Sequence, residues 1–324
     1  MNIAENDSIE GDGRLSSNFS RDDRFYVYIA YGLKIASQIA IPEFADIETI
    51  DGNAEVEMTF LEDKLPQDCV PVEVAAEEMA LQSQPDFALL YMKDTGVFIV
   101  EKGQKITIVP NPQASLIKIR QTAIGKAMAI LLCQRKYLIL HGSGVLLNGS
   151  VAIFLGNSGD GKSTTAATLH RLGHPLITDD VAAIDLTRNA TIHPTYPQLK
   201  LAETTGQALG YRSLGKLDSP LNKHWYRFSQ VTEQKPLSVG AIYVLAKGSQ
   251  LQIESLPPQK ALTVLMQHSS HNLLFHQQEM HHFLQCTTLA RRVPVYRLQR
   301  SFDLDLLSQL GKSLEEHFIS QLST

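Results

Sequence analysis

The sequence predicts an α/β fold: a phosphate-binding kinase core preceded by a small, mainly β N-terminal domain. Three observations carry this. A glycine-rich run, Gly156 to Ser163, sits between an apolar strand pattern and a helical one. Two-residue alternation and a glycine turn fill residues 24–111. The composition, 44% hydrophobic and 19% charged over 324 residues, is that of a chain able to bury a full core without disulfides or metals.

Residues 1–23 are rich in Asp, Glu, Ser, Asn and Gly and poor in large apolar side chains, which predicts a disordered tail. Phe25 to Ile29 is aromatic and β-branched and reads as a strand. In Ala54 to Phe60, Val56, Met58 and Phe60 alternate with polar residues, the pattern of a second strand. Val97–Glu101 and Lys105–Val109 flank Lys102-Gly103-Gln104, a hairpin signature. These elements define the N-terminal domain, 24–113, and the catalytic domain follows at 114–324. Across 114–135, Leu116, Ile119, Ala123, Ala127, Ile130 and Leu131 recur at helical spacing, with Gly125 a weak point worth about 1 kcal/mol. Gly144–Leu147 and Val151–Leu155 are joined by Asn148-Gly149, a pair that tolerates the positive φ of a tight hairpin. A helix over Ser163–Leu172, a stop at Gly173 and a strand over Pro175–Thr178 lead into Asp179-Asp180.

Net charge is −5, from 29 Lys plus Arg against 34 Asp plus Glu, and no basic block points to nucleic acid. No apolar run approaches the roughly 18 residues of a membrane span, and the polar N-terminus lacks a signal-peptide core. Cys69, Cys133 and Cys286 are odd in number and far apart, which fits a reducing, cytoplasmic setting.

Gly156-Asn157-Ser158-Gly159-Asp160-Gly161-Lys162-Ser163, followed by Thr164, matches G-x-x-x-x-G-K-[ST]. Four fixed positions match by accident in about one chain of this length in a hundred. The flanking strand and helix patterns reduce that further. The glycines let backbone N–H groups converge on phosphate oxygens, and the helix start points its positive end at the same anion. Lys162 can reach the β- and γ-phosphates of ATP, and the Ser163 hydroxyl can ligate Mg2+. Asp179 and Asp180 end the next strand, where one carboxylate can face the metal and the other an acceptor hydroxyl. The guanine-reading Asn-Lys-x-Asp is missing, because Asn222-Lys223 runs into His224-Trp225, and this disfavours a Ras-like GTPase.

Together, His141-Gly142-Ser143, the Asn148-Gly149 turn, GNSGDGKST and Arg171 to Asp180 resemble the HPr kinase/phosphorylase catalytic domain. They are most similar to the HPr-kinase-like serine kinases of peptide natural-product clusters of the lasso-peptide type. YIAYGLKIASQIAIPEF near the start, HPTYPQLKL at 193–201 and LARRVPVYRL at 289–298 also look like that subgroup. The resemblance implies a fold related to phosphoenolpyruvate carboxykinase and ATP-dependent phosphorylation of a serine on a peptide or protein. By position it implies Asp179 as the catalytic carboxylate with His141 as its neighbour. It also implies Ser163 and Asp180 on the metal side and Lys162 at the phosphates. It makes a homo-oligomer plausible. The Glu- and Arg-bearing signature that follows the Asp pair in true HPr kinases is replaced by HPTYPQLKLAETTG, which points to a one-way kinase and leaves Lys200 and Arg227 as substitute cations. Two alternatives stand beside the peptide kinase: a kinase for a small-molecule hydroxyl, and a nucleotide-binding scaffold.

Three further features stand outside the loop and the acidic pair. His268, His271, His276, His281 and His282 have metal-ligand spacing, but without a completing Cys or carboxylate they read first as a packing segment. Trp225-Tyr226 reads first as packing rather than as a stacking surface. Arg291-Arg292 reads first as an exposed basic pair.

Overall fold

The computed structural model describes residues 25–46, 54–61, 78–196, 198–217, 222–228, 234–270 and 279–322. The predicted tail, Cys69, His271 and His276 lie outside the described residues. Among those described, eight strands form the first sheet: β1 (Tyr26–Ala30), β2 (Leu33–Ser37), β3 (Ala45–Asp46), β4 (Val56–Phe60), β5 (Met79–Gln84), β6 (Phe87–Met92), β7 (Gly96–Glu101) and β8 (Lys105–Pro110). Their order is β3-β1-β2-β4-β8-β7-β6-β5. The predicted β7–β8 hairpin closes Glu101 onto Lys105, with Lys102 and Gly103 at φ 52° and 64°. In β4, Val56 and Met58 are buried and Glu57 is exposed, so the alternation read from the sequence sets which face meets the core.

The predicted helix over 114–135 forms as α1 (Leu116–Thr122), one π-helical turn over Ala123–Ala127 that includes Gly125, and α2 (Met128–Gln134). Ser115 caps its start by accepting from the Lys118 N–H at 3.3 Å. Its apolar stripe, including Ile119, Ala123, Ala127 and Leu131, packs on Ile35, Val56, Phe98 and Ile106 of the first sheet. The buried Gln134 side chain accepts from Gly103 N–H at 2.8 Å and donates to the Val100 carbonyl at 3.0 Å. The segment grouped by sequence with the catalytic domain thus packs its buried face onto the N-terminal sheet. The same core continues into Ile139, Val181, Ala183 and Tyr196.

The second half begins with β9 (Leu138–Leu140), β10 (Gly142–Leu147), β11 (Ser150–Leu155), α3 (Lys162–Arg171), β12 (Leu176–Thr178), β13 (Ala182–Asp185) and β14 (Thr191–Ile192). It continues with β15 (Gln198–Ala202), α4 (Glu203–Ala208), β16 (Gly215–Lys216), β17 (Lys223–Arg227), β18 (Leu237–Lys247) and β19 (Gln252–Ser255). The last elements are α5 (Pro258–His268), α6 (Glu279–Arg292), β20 (Val295–Arg300) and α7 (Leu307–Leu322). A mixed sheet runs β12-β10-β11-β18-β14-β13-β9, with β20 also on β18 and β19 on β20. Strands β11, β18 and β20 pair in parallel.

The centre of this sheet is covered on both faces, which explains the unbroken apolar run of β11. Ala152 and Phe154 face a core with Ala166, Leu169, Leu314 and Phe318, from α3 and α7. Val151, Ile153 and Leu155 face the opposite core with Ala261, Leu265, Cys286 and Leu289, from α5 and α6. Each fully buried Leu, Ile or Phe here contributes about 1.5–3 kcal/mol. That rigidity fixes the end of β11, where the glycine-rich loop begins. A small sheet, β15-β17-β16, lies beside it. No helix among the described residues is long and apolar enough to cross a membrane.

Candidate phosphate-binding site

The loop leaves β11 at Gly156 and enters α3 at Lys162, so the strand–loop–helix order read from the sequence forms. Gly159 and Gly161 take φ 94° and 89°. Gly161 has no space for a side chain, because a Cβ there would lie 1.9 Å from Arg300 Nη2. Asp160 Oδ2 accepts from the Asn157 N–H at 2.6 Å, and the Asp160 N–H donates to the Asn157 carbonyl at 3.2 Å. Lys162 is buried and donates from Nζ to the carbonyls of Gly156 at 2.9 Å and Asn157 at 3.0 Å. Burial pushes its ammonium down from the ordinary lysine range, against the pull of Asp179 and Asp180.

The acidic pair separates sharply. Asp179 is 3% exposed and accepts from Ser143 Oγ at 2.6 Å, from Ser163 Oγ at 3.0 Å and from the Lys200 N–H at 3.3 Å. Burial first, then the Asp180 charge, pushes its carboxyl up to about 6. Asp180 takes a left-handed backbone at φ 67°. Its Oδ2 accepts from Lys200 Nζ at 2.5 Å. Burial acts to raise its carboxyl, but the Lys200 charge and hydrogen bond outweigh this and hold it below the ordinary value.

His141 sits between β9 and β10 with Nδ1 3.2 Å from the Asp180 carbonyl. Its backbone N–H donates to the His268 carbonyl at 2.8 Å, which ties it to the end of α5. Burial and then Lys162 push its imidazole below the usual histidine range. His141 therefore meets the backbone of Asp180, not the carboxylate of Asp179 that the sequence suggested. Likewise Ser163 sits against Asp179, whereas the sequence reading grouped it with Asp180. The two neighbouring carboxylates differ in their partners, Asp179 taking the Ser143 and Ser163 hydroxyls and Asp180 the Lys200 ammonium.

A cavity of about 510 Å³ brings together Ser158, Lys162, Ser163 and Thr164 of the loop region with His141, Asp180 and Lys200. It is also lined by Lys223, Arg300 and Phe302, three residues that sequence reasoning did not single out. One signal was available for Arg300. Tyr296 and Leu298 point inward along β20, and Arg300 has the same parity, so a cation stands where an apolar residue belongs. Arg300 is 3% exposed. It donates from Nη1 to the Ser301 carbonyl at 2.9 Å and from Nη2 toward the carbonyls of Gly161 and Asp160 at 3.3 and 3.5 Å. Its Nε–H has no partner among the described residues.

Of the two substitute cations, Lys200 lines the cavity, while Arg227 turns to the Pro42 carbonyl near the first sheet. Tyr226 is buried in the core, and Trp225 lies under Lys200 Nζ, 4.9 Å from its ring centre. Arg292 donates to the Leu186 carbonyl at 2.9 Å. His282 Nε2 meets Ser269 Oγ at 2.7 Å. No group of three or more His, Cys, Asp or Glu able to hold a metal occurs among the described residues.

No family model matches the chain, and no curated protein matches it. Among solved structures, the chain is similar to the Hpr(Ser) kinase/phosphatase from Coxiella burnetii at 12% identity. The likeness covers 56% of this chain and 97% of that one, with a TM-score of 0.28, a superposition that assigns neither residues nor activity.

Proposed function

We propose that this chain is an ATP- and Mg2+-dependent kinase that transfers the terminal phosphoryl group to a serine hydroxyl of a peptide or protein. The observation that carries the reading is the meeting of Lys162, Ser163 and Asp180 on one cavity around the glycine-rich loop, with the buried Asp179 outside its lining and 3.0 Å from Ser163 Oγ through Oδ1. Ser163 and Asp179 fit Mg2+, which takes one or two carboxylates, a hydroxyl and phosphate oxygens in such sites. When bound, the ion neutralises charge that develops on the transferred phosphate.

The loop N–H groups and Lys162 hold the β- and γ-phosphates. To do so, Lys162 gives up the carbonyls of Gly156 and Asn157, and Asp160 gives up the Asn157 N–H. Asp180 orients the acceptor hydroxyl and takes its proton late, as the new O–P bond forms and the bond to the diphosphate breaks. Lys200 keeps Asp180 ionised, and His141 fixes its backbone. We assign the two carboxylates the reverse of the sequence expectation, Asp179 to the metal side through its contact with Ser163 and the cavity-lining Asp180 to the acceptor.

The test is incubation of the full chain with γ-labelled ATP, Mg2+ and a library of serine-containing peptides. Label on serine, lost in Asp180→Asn, is expected. Label on a metabolite fraction alone, or on nothing, overturns the peptide reading.

A further inference from the structure

We infer that Phe302 forms the nucleobase subsite of this cleft, stacking against a purine whose phosphates lie in the glycine-rich loop; this rests on the triphosphate reading above. Two clusters stand out within the cavity lining. Asp180, Lys200 and His141 are joined to one another by hydrogen bonds. Phe302 instead keeps company with Gly161, Arg300 and Lys247. Its ring edge comes within 3.8 Å of where a Cβ on Gly161 would stand. The ring centre lies 5.1 Å from Arg300 Cζ and 5.7 Å from Lys247 Nζ.

Phe302 is 40% exposed, a large aromatic surface left open at the rim of a phosphate-type cavity. Arg300 clamps it in place. The guanidinium reaches the loop carbonyls on one side and the ring on the other, so ring position and loop position are coupled. Leu304 extends the apolar wall. An acceptor must meet the γ-phosphate beside Asp180, so the base falls to the wall that Asp180 does not occupy. A stacked aromatic accepts any base, so the purine follows from the ATP of the reading above and not from the ring itself.

The test uses calorimetry with two Mg2+-loaded probes, a non-hydrolysable ATP analogue and inorganic tripolyphosphate, which has no base. Phe302→Ala and Phe302→Leu should each weaken the ATP analogue about ten-fold, the usual worth of one stacked base, and leave tripolyphosphate within about two-fold. Phe302→Trp should retain the parent affinity for the analogue. Equal weakening of both probes, or of neither, overturns the subsite. A parent chain that binds the analogue no better than tripolyphosphate also overturns it while leaving the triphosphate reading intact. Undiminished binding of both probes by Lys162→Ala overturns the two together.

Discussion

Replacing Asp179 with asparagine removes one proton site and little volume, so it isolates what the buried carboxylate costs the fold. Burial, with the Asp180 charge, pushes this carboxyl from 3.8 up to about 6. Between those values the folded chain binds the proton more tightly than the unfolded chain does. Stability from this group is therefore present in acid and is lost as pH rises through that window. At about 1.4 kcal/mol per unit, the loss is about 3 kcal/mol by neutral pH. Asp179→Asn has no such titration. It carries a separate cost, because an amide N–H₂ in place of Oδ2 would face the donors that now reach that oxygen from Ser163 at 3.3 Å and Lys200 at 3.3 Å. Such a mismatch costs about 1–3 kcal/mol and does not vary with pH. The melting temperature of Asp179→Asn relative to the parent should accordingly move in the variant's favour by about 5 °C between pH 4 and pH 7.5. Scanning fluorimetry on both chains across that range, without nucleotide or metal, is the assay. A temperature difference that stays constant with pH would refute the reasoning about Asp179.

Asp180→Asn should leave binding of a non-hydrolysable ATP analogue within a few-fold while lowering single-turnover transfer by about 10²–10⁴, the usual worth of a positioned acid or base. His141→Ala should cost less, about ten-fold, because its ring reaches the reaction only through the Asp180 backbone; equal losses in the two variants would make the imidazole itself the proton acceptor. Gly161→Ala must place a Cβ at φ 89° and displace the buried Arg300 guanidinium. The left-handed backbone alone costs about 1–2 kcal/mol, so a lowered melting temperature with loss of nucleotide binding is expected, and a parent-like melt would contradict the tight loop packing.

The loop was legible because its chemistry is local. Glycines at fixed spacing, a lysine and a serine at a helix start are all set by eight consecutive residues. The Asn148-Gly149 hairpin was legible for the same reason, and both residues take positive φ, 44° and 82°. Strand β18 was not singled out. Its eleven residues are mostly apolar because cores on both faces of the sheet cover it, and a continuous run carries no period to read. The helical stripe over 114–135 was visible, but not the surface it packs on, since amphipathicity names a face and not a partner. The different surroundings of Asp179 and Asp180 were hidden because they depend on distant partners, Ser143 thirty-six residues before the one and Lys200 twenty residues after the other. Arg300 meets the loop from about 140 residues further on, a proximity that only the packing of β20 beside β18 creates.

The central question is whether the glycine-rich loop holds a nucleoside triphosphate. Isothermal titration of the full chain and of Lys162→Ala with the Mg2+ complex of a non-hydrolysable ATP analogue measures this. Binding by the parent chain, weakened at least about ten-fold in a Lys162→Ala chain that still melts cooperatively, is the predicted result. Equal affinity in the two chains, or no binding by the parent, would contradict it.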